Sequence, residues 1–145
     1  MSMVDVSAKK ASSRRARAEA RLTLTRTAAE AIRKATLKKG DALVAAQIAG
    51  ILAAKQTAAL IPLTHPLPLS RVDVSFRWDR NVLLVQTDVQ TNAATGVEME
   101  ALVAAAIAAL TIYDMAKSLE RGIQIESIRL VEKTGGKSGA WKASQ

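Results

Sequence analysis

A chain of 145 residues is long enough for one domain with a sizeable core. It is 49% hydrophobic and 23% charged, which excludes wholesale disorder. Cysteine is absent and His65 is the only histidine, which removes disulfides, thiolate nucleophiles and cysteine-ligated metals; no metal site or cofactor is expected within one chain. The net charge of +8 is unevenly placed: residues 1–40 hold 11 Lys and Arg against 3 Asp and Glu, and the remainder is neutral. The basic segment therefore either faces an anion or is a solvated arm.

Residues 1–13 read as a flexible N-terminal arm, 14–141 as a single α+β domain and 142–145 as a tail. Arg14 to Leu24 alternates, with Ala16, Ala18, Ala20, Leu22 and Leu24 on one face. That is strand periodicity, although alanine is a poor strand former. Thr27 is placed to N-cap a short helix through Lys34, with Glu30 completing a capping box. Asp41 is a good N-cap for an alanine-rich helix over 42–60. Its interior Gly50 costs about 1 kcal/mol of helix propensity, so it predicts close approach of another backbone.

Pro62, Pro66 and Pro68 stiffen the next segment into an extended loop that holds His65. Arg71–Trp78 and Val82–Thr91 alternate about a turn at Asp79-Arg80-Asn81, the pattern of an antiparallel hairpin. A long helix follows over 97–119, ended by Gly122. Its apolar run, Ala101 to Tyr113, is 13 residues, short of the roughly 18 a bilayer span needs. It reads as a core helix, and the default address is the cytosol. A last strand covers Ile123–Lys133. The order is βαββαβ with an extra helix, a ferredoxin-like two-layer α+β sandwich on an antiparallel sheet. The long helix is apolar nearly all round, more than one sheet face covers, so a second packing partner is expected; a symmetric oligomer supplies one economically.

Asp114 and Lys117 are three residues apart, on one face of the long helix. A buried carboxylate beside a lysine has its pKa moved toward a catalytic value; a structural ion pair is the equal alternative. Glu98 and Glu100 sit in the first turn, where the helix dipole favours carboxylates. Glu100 and Asp114 lie roughly 21 Å apart along the axis at 1.5 Å per residue. A site using both ends of this helix must combine subunits. His65 is of the residue type that titrates near neutrality, and lone histidines serve structure as well as catalysis. Gly135-Gly-Lys-Ser-Gly139 can offer backbone N–H groups and an ammonium to phosphate, or be a basic tail. It is not a Walker A loop, since Val131 stands where that motif needs glycine. Arg14 lies on the strand face opposite Arg15 and Arg17; with Lys38 and Lys39 these could bind a polyanion or merely be solvated.

Several stretches, in order, resemble one family, the cyclic pyranopterin monophosphate synthases (molybdenum cofactor biosynthesis protein C). They are Met3-Val-Asp-Val-Ser-Ala-Lys9, Lys39-Gly-Asp41, Ile48-Ala-Gly-Ile51 with Ala53-Ala-Lys55, and Leu60-Ile-Pro-Leu-Thr-His-Pro-Leu67. Thr95-Gly-Val-Glu-Met-Glu-Ala-Leu102, Ala108-Ala-Leu-Thr-Ile-Tyr-Asp-Met115 with Lys117, and the glycine loop complete the set. The resemblance implies a lyase that converts 3′,8-cyclo-7,8-dihydro-GTP into cyclic pyranopterin monophosphate and releases pyrophosphate. It implies a homohexamer, a trimer of dimers, with the site at a subunit interface. Asp114 and Lys117 become the catalytic acid/base pair. Leu63, Thr64, His65, Met99 and Glu100 match substrate-contacting segments, and Arg14, Lys39, Lys55, Glu98, Lys133 and Lys137 line the pocket. No protein-held cofactor is implied; magnesium could accompany the triphosphate. Three positions depart from the family pattern: Thr64 replaces a cysteine, and Gln47 and Gln56 replace arginines.

Two other classes compete. A nucleic-acid-binding module built on the basic N-terminal segment predicts steeply salt-dependent binding. Four aromatics, Phe76, Trp78, Tyr113 and Trp141, are thin material for stacking bases, and the body is neutral. An inert paralogue is the third class; the presence of Asp114, Lys117, His65, Glu98 and Glu100 argues against it.

Overall fold

The computed structural model describes all 145 residues. The elements are β1 (Ser12–Thr23), α1 (Arg26–Arg33), α2 (Ala42–Lys55), α3 (Thr57–Leu60), β2 (Leu69–Asp79), β3 (Val82–Ala93), α4 (Glu98–Ala116), β4 (Gln124–Thr134) and β5 (Trp141–Lys142). The strands form one sheet in the order β2-β3-β1-β4-β5, and every pairing is antiparallel. This is the expected ferredoxin-like two-layer arrangement. β5 is an addition the sequence did not signal: two residues are too few to show a period, and Trp141 pairs with Lys133 only after the glycine loop turns the chain back.

β1 is a central strand, and its alternation is realised residue by residue. Ala16, Ala18, Ala20 and Leu22 are buried, while Arg15, Arg17, Glu19, Arg21 and Thr23 lie on the far face. Alanine is used here because α4 presents alanines in return: Ala101, Ala105, Ala109 and Ala116 are fully buried in the same core. Small side chains on both surfaces let helix and sheet approach closely, so packing overrides the weak strand propensity.

On the outer face of the sheet the arginines of β1 are paired. Arg15 bonds Asp88, Arg17 lies 3.5 Å from Glu132, and Arg21 lies 3.0 Å from Glu126. Two of the cations behind the polyanion reading, Arg15 and Arg17, thus stand in cross-strand ion pairs. The β2–β3 hairpin turns at Arg80-Asn81, with Arg80 in the left-handed region at φ 55°.

The helices differ from expectation in three ways. Thr25, not Thr27, caps α1, its hydroxyl accepting from the Ala28 N–H at 3.3 Å. Glu30 then pairs with Arg26 one turn back at 3.2 Å instead of closing a capping box. The expected 42–60 helix is interrupted at Gln56, whose backbone leaves the helical region. The buried Thr57 then turns its hydroxyl back onto the Ala53 and Ala54 carbonyls before α3 begins.

The third difference concerns α4. Its second packing partner is α2 of the same chain. A Cβ on Gly50 would lie 3.1 Å from the Ala104 carbonyl and 3.0 Å from a Val74 methyl, the close approach that glycine was expected to permit. More than half of α4 is buried between α2 and the sheet, as a core helix should be. The apolar surface left over has moved outward onto α2, where Val44, Ile48 and Leu52 are each about half exposed. Their spacing of four residues puts them in one stripe.

Candidate functional site

The site residues are set by three anchored segments around the start of α4. The proline segment is pinned from β3, because the buried Thr91 hydroxyl donates to the Pro68 carbonyl at 2.6 Å. Within it, the Thr64 hydroxyl donates to the Ile61 carbonyl at 2.9 Å and closes the turn that presents His65. The start of α4 is fixed from the same strand, where the buried Thr87 hydroxyl donates to the Ala101 carbonyl at 2.8 Å. The N-terminal arm supplies the third segment. His65 Nε2 lies 2.8 Å from the Val4 carbonyl, which can only accept, so the imidazole donates there and carries its proton on Nε2.

These segments enclose a hollow of about 290 Å³ lined by Val4, Val6, Lys9, Leu63, Thr64, His65, Glu98, Met99 and Glu100 among others. All six residues expected from the proline segment and the helix start meet here. Glu100 is its most perturbed group. It is 4% exposed, and its Oε2 has no hydrogen-bond partner. Burial pushes its carboxyl above the usual range, and the neighbouring Glu98 adds to the rise. Helix-start electrostatics, which suits an exposed glutamate, does not explain a buried one without a partner.

A second hollow, of about 610 Å³, adjoins through Lys9 and is lined by Lys10, Ser12, Arg14, Lys137, Ser138 and Gly136. It contains four cations and no acid. Arg14 is held rigidly: Nε donates to the Ala93 carbonyl at 2.9 Å and Nη2 to the Ala94 carbonyl at 3.2 Å. Gly135 and Gly136 carry φ values of 87° and 77°, and a Cβ on either would collide with Ser13 or with the Arg14 guanidinium. The loop thus needs glycine twice over to lie against Arg14. Lys133 does not line this hollow; its ammonium bonds Ser138 at the rim.

Asp114 and Lys117 lie elsewhere, at the far end of α4. Asp114 Oδ1 is 2.8 Å from Lys117 Nζ, and its Oδ2 is 2.7 Å from Lys39 Nζ. Asp114 is 53% exposed, so the premise of a buried carboxylate is corrected: it shares the outer face of the helix with Leu110 and Lys117, while Ile112, Met115 and Ala116 face the core. The two lysines hold its carboxyl down at about 2, and Asp114 in turn raises Lys117. Lys55 stands apart, exposed at the end of α2 and lining neither hollow.

One chain therefore holds two partial sites, separated by the length of α4. The arm residues Val4, Val6 and Lys9 line the candidate site, and pattern reasoning passed over them. Their signal was the Val4-Asp-Val-Ser-Ala-Lys9 stretch, short and without a period. Gln47, one of the three positions that depart from the pattern resembled, donates to the Val74 carbonyl at 3.0 Å and ties α2 to the sheet edge. No set of three or more Asp, Glu or His side chains is gathered to hold a metal ion.

Comparison with known proteins gives one answer. The MoaC family matches residues 3–136. A cyclic pyranopterin monophosphate synthase from Nostoc sp. is 57% identical over 139 residues, 94% of this chain and 83% of that protein. Proteins of the same name from Listeria welshimeri and Bacillus licheniformis are 50% and 47% identical. Each alignment spans 97% of this chain, with 89% and 86% of the respective relative.

Proposed function

The chain belongs to the MoaC family, and on that basis we propose that it converts 3′,8-cyclo-7,8-dihydro-GTP into cyclic pyranopterin monophosphate with release of pyrophosphate. This is an early step of molybdenum cofactor biosynthesis. The observation that carries the reading is the adjacency of the two hollows. One offers Glu98, Glu100 and His65 to a base bearing N–H groups; the other offers four cations to a phosphate chain. Arginine and lysine beside the chain offset its charge and stabilise the departing pyrophosphate. A sugar hydroxyl oxygen attacks the α-phosphorus, the bond to the β-phosphate oxygen breaks, and the hydroxyl proton passes to a base.

Asp114 and Lys117 are the acid/base pair. Asp114 is ionised at neutral pH and Lys117 is an ammonium, so the pair enters the reaction with the carboxylate as acceptor and the ammonium as donor. Phosphate competing for Lys39 and Lys117 raises the basicity of Asp114 when substrate arrives. The pair reaches the hollows only across a subunit boundary, because both stand on one rigid helix. The assembly is a homohexamer, a trimer of dimers, and the stripe of Val44, Ile48 and Leu52 is apolar surface for such contacts. The compartment is the cytoplasm, where a GTP-derived substrate is made, and any magnesium comes with the triphosphate.

The test is turnover of enzymatically made 3′,8-cyclo-7,8-dihydro-GTP, following pyrophosphate and the oxidised pterin's fluorescence. Equal amounts of both products are expected. A folded protein that binds the substrate and yields neither would mark an inert member of the family.

A further inference from the structure

We propose that Gly96 is a positioning residue: the space left by its missing side chain holds the Glu98 carboxylate in the first hollow. That this carboxylate receives the N–H groups of the substrate's ring rests on the function proposed above. Gly96, Glu98 and Glu100 all line this hollow. A Cβ on Gly96 would lie 2.8 Å from Glu98 Cδ, 2.8 Å from its Oε1 and closer still to its Oε2. The three nearest atoms thus all belong to one carboxyl group, and none is backbone. Gly135 and Gly136 differ, because their φ values are positive. Gly96 has no positive φ, so its backbone would accept an L-residue, and its demand for glycine is one of space alone.

The backbone is not free to make that space. The start of α4 is held by the Thr87 hydroxyl on the Ala101 carbonyl, and the Ala101 N–H donates to the Val97 carbonyl at 3.1 Å. Relief must come from the Glu98 side chain, which joins none of the eight ion pairs of the chain. Val97, at the N-cap, makes no side-chain bond to the first N–H groups of α4, so the positive end of the helix dipole draws the carboxylate to the helix start. Its charge is felt by the buried Glu100 in the same hollow. A methyl group at position 96 therefore moves one acceptor of the site and leaves the fold as it is.

The test is a double-mutant cycle in steady-state turnover of 3′,8-cyclo-7,8-dihydro-GTP, with a crystal structure of ligand-free Gly96→Ala beside it. Gly96→Ala should melt no lower than wild type, since alanine restricts the unfolded chain. Its crystal structure should show the Glu98 carboxylate displaced and the proline loop unchanged. Its kcat/KM should fall about ten- to a hundredfold, the worth of one hydrogen bond to a charged group. The loss should lie in KM, with kcat within about threefold, because the contact holds substrate and transition state alike. Glu98→Ala should fall by a similar factor. Adding Gly96→Ala to it should change kcat/KM by less than about twofold, because the group that the methyl displaces is already gone. Wild-type kcat/KM in Gly96→Ala, an unmoved Glu98, or two losses that multiply overturns the proposal. If wild type forms no pterin while Gly96→Ala displaces the carboxylate, the placement of Glu98 by Gly96 stands and the assigned substrate is wrong.

Discussion

At the start of α4 a carboxylate, Glu100, is buried with an unpartnered oxygen; at its end another, Asp114, stands half-exposed between two lysines. One helix thus shifts two carboxyls in opposite directions. Burial pushes the Glu100 carboxyl above its usual range, and paired ammonium groups pull Asp114 down to about 2. The difference lies in what surrounds each end. The first turn is enclosed by the proline loop, the arm and β3, whereas in the last turn Asp114 lies on the outer face of the helix, opposite the buried Ile112, Met115 and Ala116. A reaction that needs two carboxyls of different acidity can draw on both ends, provided neighbouring chains bring them together.

The sharpest way to break this contrast is at Asp114. Asp114→Asn should leave the fold and its melting temperature nearly unchanged, because the group is solvated. Turnover should fall about 10²–10⁴-fold, the usual worth of a positioned acid/base group. A wild-type rate in this variant would remove Asp114 from the chemistry.

Glu100 should respond in the opposite sense. Glu100→Gln removes a buried charge that lacks a partner and should stabilise the protein by about 1–2 kcal/mol at neutral pH, while lowering activity. The sign follows from linkage. A carboxyl whose folded pKa is raised is penalised as pH climbs above its unfolded value of 4.5, so the gain should shrink as pH falls toward 4. Thermal unfolding of both proteins at pH 4 and pH 7 measures it.

The smallest effect is at Lys39. Lys39→Met removes one of the two hydrogen bonds that depress Asp114, so its carboxyl should titrate above the present value of about 2 while staying below 3.8. Carbon-detected NMR titration of the Asp114 carboxyl reads this. In wild type the triad is complete above about pH 4 and is lost as pH falls toward 2, because the folded value is the depressed one.

The strands and the long helix were legible because their patterns are clean: β1, β2 and β3 alternate, and α4 is apolar from Ala101 to Tyr113, about three and a half turns. Gly50 announced a tight contact, and the structure shows it. What resisted reading was placement in three dimensions. Asp114 interrupts an alanine-rich run just as a buried catalytic group would, and a helix apolar nearly all round does not tell which face is left to solvent. Glu100 sits where exposed glutamates are common, and only the loop folded over it reveals the burial. Thr27 and Thr25 are equally good caps by type, and the hairpin tip beside the chain there decides between them: the Leu24 N–H is bonded to the Asn81 carbonyl. The arm has no period at all, and its position depends on one hydrogen bond to His65.

The direct test of a site shared between the two ends of α4 is subunit mixing. His65→Ala and Asp114→Asn chains, each inactive alone, would be unfolded together, refolded as one population and assayed. A shared interface site should recover about one quarter of wild-type turnover, the share of contacts in which random assembly joins the two intact halves. A mixture as inactive as either variant alone would show that both residues serve one chain's own site, and would contradict a catalytic centre assembled from opposite ends of α4 in neighbouring subunits.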